Sequence, residues 1–258
     1  MIGLLHPGEM GAAVGRCLTK SGHTVLWASE GRSLATQARA KAAGLSDVGT
    51  IAAVAGQAGA ILSVCPPHAA TDTAWAVHGF RGLYVDANAI SPGTAREVAQ
   101  MITDSGGRYV DGGIIGLPPV KPGTTRLYLS GPDAGKVQAL FAGTDLATRI
   151  AGPALTAASA VKMAYGAWTK GTAALILAIR EFAREEGVED TLLEEWALSQ
   201  PSLEKRSHGS AQAATAKGWR WVAEMEEIAA SMAAAGLPDG FHLAAAEVFR
   251  RYPRSGAD

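Results

Sequence analysis

The first residues able to do chemistry follow an apolar run, Met1-Ile2-Gly3-Leu4-Leu5, which passes directly into His6-Pro7-Gly8-Glu9-Met10-Gly11. A strand, a turn of small residues and a helix N-terminus bring backbone N–H groups and the positive end of a helix dipole to one point. That arrangement binds anions. Gly8 lets a phosphate approach the backbone, and Gly11 lets the helix lie close on its strand. The spacing departs from the G-x-G-x-x-G dinucleotide fingerprint at its first position, which is His6. His6 either stacks beside a bound nucleotide or only tolerates the turn. After a second apolar run, Thr24–Ala28, stands Ser29-Glu30-Gly31-Arg32-Ser33. In dinucleotide folds an acidic residue here bonds the ribose hydroxyls of NAD, whereas small polar and basic residues suit the 2′-phosphate of NADP. Ser29, Arg32 and Ser33 favour NADP, and Glu30 keeps NAD possible.

A second kind of chemistry is offered by Lys162, set in Ala160-Val161-Lys162-Met163-Ala164. A lysine in an apolar groove has its ammonium disfavoured and can exchange a proton near neutral pH. As a positioned cation it also stabilises an oxygen that gains negative charge. On residue pattern alone a solvated helix lysine is the preferred reading, and Lys170, two turns on, is the fallback candidate.

The elements that must position these groups change character along the chain. Strands are expected at Met1–Leu5, Thr24–Ala28, Ala60–Val64, Leu83–Asp86 and Tyr109–Asp111, with helices at Met10–Ser21, Ser33–Ala43 and Thr94–Ser105. Strands alternating with helices of this length predict crossover units and a doubly wound, mainly parallel sheet, an α/β Rossmann domain over residues 1–152. Beyond Gly152-Pro153 no strand is evident. One long helix is predicted from Thr156 to about Glu186, then helices over Leu192–Ser199, around Trp219–Ala235, and over Phe241–Arg251. Residues 153–258 therefore read as an all-α C-terminal domain, linked by a long interdomain helix. Val161, Leu175, Ile176 and Ile179 put apolar groups on more than one side of that helix, which predicts burial between partners and a homodimer.

The bulk properties narrow the function classes. The chain has 258 residues, 48% hydrophobic and 18% charged, with a formal net charge of −1. Nothing in this points to disorder or to a nucleic-acid or anionic-membrane partner. Two cysteines, Cys17 and Cys65, form no C-x-x-C pair, so neither a disulfide framework nor a metal site is expected. The opening run lacks a basic stretch before it and reads as no signal peptide, and no run is long enough to span a bilayer. A cytoplasmic protein is expected.

Taken together, these segments resemble the β-hydroxyacid dehydrogenase and 6-phosphogluconate dehydrogenase-like superfamily. The resemblance rests on the opening strand with Gly8-Glu9-Met10-Gly11, on Ser63-Val64-Cys65-Pro66-Pro67, on Val85-Asp86-Ala87-Asn88-Ala89-Ile90-Ser91-Pro92, and on Tyr109-Val110-Asp111-Gly112-Gly113-Ile114-Ile115-Gly116. Gly123-Thr124 and Tyr128-Leu129-Ser130-Gly131 match the strand pair that follows. The second half is similar to a poorly characterised subgroup of helical C-terminal domains, through Tyr165, Trp168-Thr169-Lys170-Gly171 and the stretch from Gly218 to Glu227.

The resemblance implies an NAD(P)-dependent oxidoreductase with Lys162 as catalytic acid/base. It implies cofactor contacts from His6, Pro7, Gly8, Glu9, Met10, Ser29, Arg32, Ser33, Cys65, Pro66, Pro67 and Asn88. The family's substrate loop falls on Ile114, Ile115 and Gly116, with Ser91 nearby. Its usual loop serine is Ile115 here, and the asparagine one turn after the lysine is Gly166. These departures argue against a simple 3-hydroxycarboxylate. Tyr165, Trp168, Trp219, Trp221 and Glu224 could shape a pocket for a bulkier or amine-bearing small molecule, or serve as core anchors. The leading expectation is alcohol/carbonyl chemistry with NADP(H). Imine (C=N) reduction on the same architecture is the alternative, weakened by the retained Lys162.

Overall fold

A computed structural model describes residues 1–253, which fall into two compact units, Met1–Lys162 and a second that begins at Met163. The first unit is built as β1 (Ile2–Leu5), α1 (Glu9–Lys20), β2 (Val25–Trp27), α2 (Leu34–Ala42), β3 (Ser46–Asp47), α3 (Ile51–Gln57), β4 (Ala60–Ser63), α4 (Ala70–Trp75), β5 (Leu83–Asp86), α5 (Pro92–Asp104), β6 (Arg108–Gly116), β7 (Thr125–Ser130), α6 (Ala134–Leu140) and β8 (Leu146–Gly152). All eight strands join one sheet in the order β3-β2-β1-β4-β5-β6-β7-β8, parallel throughout except for the antiparallel β6–β7 pair.

The alternation of strand side chains produces two cores. Leu4, Val25, Leu62, Val85 and Val110 pack on one face with Val14 and Leu18 of α1 and Val137 of α6. Leu5, Leu26, Ile61, Tyr84 and Tyr109 pack on the other with Val54 of α3, Ala74 of α4 and Val98 and Ile102 of α5. A sheet covered on both faces needs apolar residues at successive positions, which is why these strands are continuous apolar runs.

Chain order reverses between β1 and β4. From β1 the chain winds outward through β2 and β3, then returns to β4 on β1's other side. The loops leaving β1 and β4 therefore diverge and leave a crevice at the carboxyl ends of the strands, the place where such sheets bind ligands. This arrangement is the doubly wound fold that the sequence predicts.

The helical region comprises α7 (Ala157–Glu185), α8 (Glu189–Ser199), α9 (Leu203–Ala234) and α10 (Gly240–Arg250). The sequence boundary at Gly152-Pro153 marks the end of β8, and the compact units divide later, inside α7. In the second unit Met225, Ile228 and Ala229 of α9 and Ala245, Ala246 and Phe249 of α10 are buried. Gly166 of α7 faces Ile228, with only 3.0 Å between a β-carbon placed there and Ile228 Cδ1. Ala174 and Ile176 are buried, whereas Trp168, Leu175 and Phe182 are each at least 60% exposed. One side of α7 is thus core and another is an open apolar stripe.

Several elements differ from the sequence expectation. β6 runs five residues past Asp111, through Gly112-Gly113, because the helix-side crowding described below requires glycine where a strand normally avoids it. β8 is half-exposed, so it carries no apolar run to announce it. α9 begins at Leu203, well before Trp219, because its first half holds Gly209, serines and charged residues in place of an apolar face.

Candidate active site

β1 ends in the turn His6-Pro7-Gly8, and α1 opens at Gly8 with no side-chain cap. The first-turn amides at this end are therefore not closed by a neighbouring serine or aspartate, and a β-carbon on Gly8 would meet nothing within 4 Å. At Gly11 a β-carbon would lie 2.5 Å from the His6 carbonyl oxygen, so glycine is obligatory for the helix to approach the strand. Glu9 is exposed, while Met10 packs partly on the core. Open space at a glycine-capped helix N-terminus, walled by a glycine contact, fits a dinucleotide's pyrophosphate.

His6 has φ +65°, the left-handed region, which costs a non-glycine residue about 1 kcal/mol. Its ring faces Arg32: Arg32 Nη1 is 2.9 Å from Nδ1 and Nη2 is 3.3 Å from Nε2. Thr73 Oγ1 of α4 lies 3.4 Å from Nε2. Burial, and then the Arg32 charge, lowers the imidazole pKa to about 4, so the ring is neutral at pH 7. Arg32 Nε is buried and has no partner. Ser33 caps α2, its Oγ accepting from Thr36 N at 3.3 Å. Ser29 N donates to Asp47 Oδ1 at 3.2 Å, and Glu30 is exposed. Asp47 is an acidic group beside this loop that the sequence reading missed, because β3 is only two residues long.

After β4, Cys65 N donates to Asn88 Oδ1 at 2.6 Å, while Asn88 Nδ2 donates to Ser63 Oγ at 3.0 Å. Asn88 thus ties the β4 loop to the β5 loop and is itself 2% exposed. Burial pushes the Cys65 thiol up to about 11, which keeps it protonated and unreactive at neutral pH. Pro66 and Pro67 open a short 3₁₀ turn that leads to α4. Ser91 is buried and caps α5, accepting from Thr94 N at 3.1 Å.

Lys162 is held from the sheet. Its Nζ donates to the Ile114 carbonyl of β6 at 2.9 Å. The helix that carries it is fastened one turn earlier by a buried polar staple. Asp111 accepts from Ser159 N at 2.7 Å, from Ser159 Oγ at 2.5 Å and from Ser130 Oγ at 3.1 Å, and Ala158 N donates to Ser130 Oγ at 3.0 Å. These bonds satisfy amides that a helix start leaves open. Burial raises the Asp111 pKa while these donors pull it back. Its ladder partner Asp86 is pushed to about 7, mainly by burial, with the Asp111 charge adding to the rise. Gly113 completes the arrangement: a β-carbon there would sit 2.8 Å from Ala158 O and 3.0 Å from Lys162 Cβ. Ile114 belongs to the sheet core through its side chain, Ile115 is also buried, and Gly116 is exposed with φ +122°.

In the second unit, Lys170 pairs with Glu224, each side chain 15% exposed. Lys170 Nζ also stands 6.0 Å from the Trp221 ring centroid, and that ring meets Phe249 edge-on at 5.0 Å. Arg206 lies over Trp168 at 5.5 Å and Arg220 over Trp219 at 4.9 Å. Of the predicted pocket residues, the structure brings Trp221 and Glu224 together and leaves Tyr165 and Trp168 exposed. Among the described residues no cluster could hold a metal ion, and no helix is long and apolar enough to cross a membrane.

Comparison with known proteins identifies the family and the fold. The NAD binding domain of 6-phosphogluconate dehydrogenase matches residues 1–166, and a domain of unknown function, DUF1932, matches residues 183–252. A curated relative, the uncharacterized 28.5 kDa protein in the 7S RNA 5′ region of Methanothermus fervidus, is 30% identical over 135 residues, 52% of this chain and 51% of that protein. The match thus spans about half of that relative's length. A conserved protein of unknown function, whose structure is described as similar to 3-hydroxyacid dehydrogenases, is 27% identical with a TM-score of 0.71, covering 97% of this chain and 96% of that one. The 3-hydroxyisobutyrate dehydrogenase of Salmonella typhimurium shares the fold at 17% identity and a TM-score of 0.73, covering 97% and 93%. A reductive aminase from Aspergillus terreus, in complex with NADPH and ethyl levulinate, does so at 21% and 0.61, covering 97% and 92%.

Proposed function

The chain belongs to the family of the 6-phosphogluconate dehydrogenase NAD binding domain and is an NAD(P)-dependent oxidoreductase; on that premise we propose that it interconverts a small alcohol and its carbonyl compound with NADP(H), using Lys162 as general acid/base. The observation that carries the reading is the placement of Lys162, whose ammonium is anchored to the backbone of β6 while its helix is capped by Asp111. An ammonium held by a rigid strand is positioned without further ordering cost. It gives a proton to the oxygen of a carbonyl being reduced and removes one from an alcohol being oxidised.

Gly8, Glu9 and Met10 would hold the pyrophosphate through α1's first-turn amides. His6 and Pro7 form the turn beneath it. Arg32 and Ser29 lie on the 2′-phosphate side with the Ser33 cap, and Cys65, Pro66, Pro67 and Asn88 form the neighbouring loop. When bound, the nicotinamide supplies or accepts the hydride. NADP is favoured over NAD by Arg32, whose buried Nε has no partner of its own, and by an exposed Glu30.

Replacing Lys162 by alanine is expected to lower ketone turnover by about 10²–10⁴-fold while NADPH still binds, as seen by quenching of tryptophan fluorescence. Unchanged turnover would remove the assignment. A second reading, imine reduction, is favoured by the paired Lys170, Glu224 and Trp221, a polar and aromatic set suited to an amine. It predicts that reduction of imines survives Lys162→Ala. The exposed stripe of Trp168, Leu175 and Phe182 supports a homodimer, which a two-chain mass in light scattering checks. Two free cysteines are consistent with a cytoplasmic site of action.

A further inference from the structure

We propose that His6, the residue standing where the dinucleotide turn normally has its first glycine, is a specificity-determining residue for the 2′-phosphate of NADP(H), acting by holding Arg32 in place. The inference rests on the NADP reading and deepens it. It starts from a misfit in the sequence. The backbone at position 6 has φ +65°, a conformation that glycine adopts freely and histidine does not. A side chain kept at a strained position calls for a role, and the structure supplies one.

Arg32 is half-buried, and among the described residues no carboxylate pairs with it. The side chain that receives its guanidinium is His6, with Nη1 2.9 Å from Nδ1. The remaining ring nitrogen, Nε2, faces Thr73 Oγ1 at 3.4 Å. In the tautomer protonated at Nε2, Nδ1 accepts from Arg32 Nη1 and Nε2–H points to the threonine hydroxyl, so Arg32 Nη2, 3.3 Å from Nε2, makes no hydrogen bond to the ring. The three residues come from three segments that meet at the sheet's reversal point, the ends of β1 and β2 and the helix α4.

The choice of imidazole has chemical logic. An aspartate at this position would hold the arginine more tightly, but it would cancel its charge and repel a phosphate. Glycine would leave the guanidinium on a flexible stem, to be ordered only when the ligand arrives. A neutral imidazole fixes the guanidinium by a hydrogen bond and leaves its full positive charge for an anion. The buried, unpartnered Nε shows donor capacity left over at the same head group. Preorganising a cation in this way strengthens binding of the phosphorylated ligand specifically, because the unphosphorylated one makes no use of it.

The test measures binding to the full chain by calorimetry, with 2′,5′-ADP and 5′-ADP as probes, alongside NADPH and NADH. The wild-type protein is expected to prefer 2′,5′-ADP, and Arg32→Ala to abolish the preference. In His6→Gly the readout is the ratio of the two affinities, whatever the new turn does to 5′-ADP binding: the preference for 2′,5′-ADP over 5′-ADP should fall about tenfold, some 1.4 kcal/mol. Thr73→Val, which leaves the turn untouched, should lower the preference by a smaller factor. An unchanged ratio in both His6→Gly and Thr73→Val overturns the role of His6 while leaving the NADP reading intact. Absence of any preference in the wild-type protein overturns both.

Discussion

Two lysines on the same helix are held in different ways. Lys162 reaches a backbone carbonyl of β6, on a helix turn that is itself fastened to β6 and β7 through Asp111 and Ser130. Lys170, eight residues on, reaches the carboxylate of Glu224, a side chain on α9. A carbonyl in a sheet is as rigid as the sheet, whereas a carboxylate on a helix moves with its own rotamers. On the proposed alcohol/carbonyl reading, the difference separates a group positioned for chemistry from a group positioned for packing.

The comparison breaks most readily at Gly113. Valine there places a β-carbon against Ala158 O and Lys162 Cβ and must push the start of α7 outward. A misplacement of about 1 Å costs about 10²-fold in turnover. We expect that loss in kcat, with the NADPH dissociation constant little changed because the proposed cofactor cradle lies at β1 and β4. Steady-state kinetics beside fluorescence titration checks it, and an unaltered kcat would mean that the sheet does not set the lysine.

The paired lysine should behave in the opposite manner. Lys170→Met leaves the Glu224 carboxylate without this cation and is expected to cost about 2 kcal/mol, between the values for exposed and fully buried pairs. Urea denaturation measures the loss, and Lys170→Met with Glu224→Gln should cost less than the sum of the two. Cofactor affinity should stay at the wild-type value.

The subtlest effect is in pH dependence, and it sharpens the contrast between groups buried charged and groups buried neutral. Burial pushes the Asp86 pKa in the folded chain up to about 7 from the ordinary aspartate value of 3.8. The folded state then holds an extra proton between those values, so this group's contribution to stability is full at low pH and is lost as pH rises through 7. His6, lowered to about 4 from 6.5, has the opposite sign: its contribution is lost as pH falls from 6.5 to 4. Thermal melts of Asp86→Asn across this window should show a steeper rise of stability with pH than the wild type, because the opposing slope is gone.

Much of the first unit was legible in residue order. Apolar runs marked β1, β4 and β5, because local chemistry decides each of these, whereas the caps that Ser33 and Ser91 place on α2 and α5 went unread, the helix after Ser91 being expected only from Thr94. The second half of β6 was not, since two glycines in a strand make sense only once a helix crosses them. Lys162 was singled out through the family resemblance; residue pattern alone favoured an ordinary solvated helix lysine. The Asp111–Ser159 bond joins residues 48 positions apart, and the Arg32–His6 bond 26, distances at which nothing local signals contact. Asp111 at the end of an apolar strand was the one available hint, a carboxylate in a place where burial demands donors.

The staple also dictates how this chain can be divided by an engineer. The loop at Gly152-Pro153 is the obvious place to cut out a minimal nucleotide-binding module. A fragment ending there keeps Asp111 in the sheet but discards both Ser159 groups that bond it and the Ala158 amide that bonds Ser130. Such a module would carry an acid stripped of most of its donors in its interior. Six residues of a helix that reads as part of the other half must travel with it, through Lys162, for the excised piece to be a self-sufficient building block.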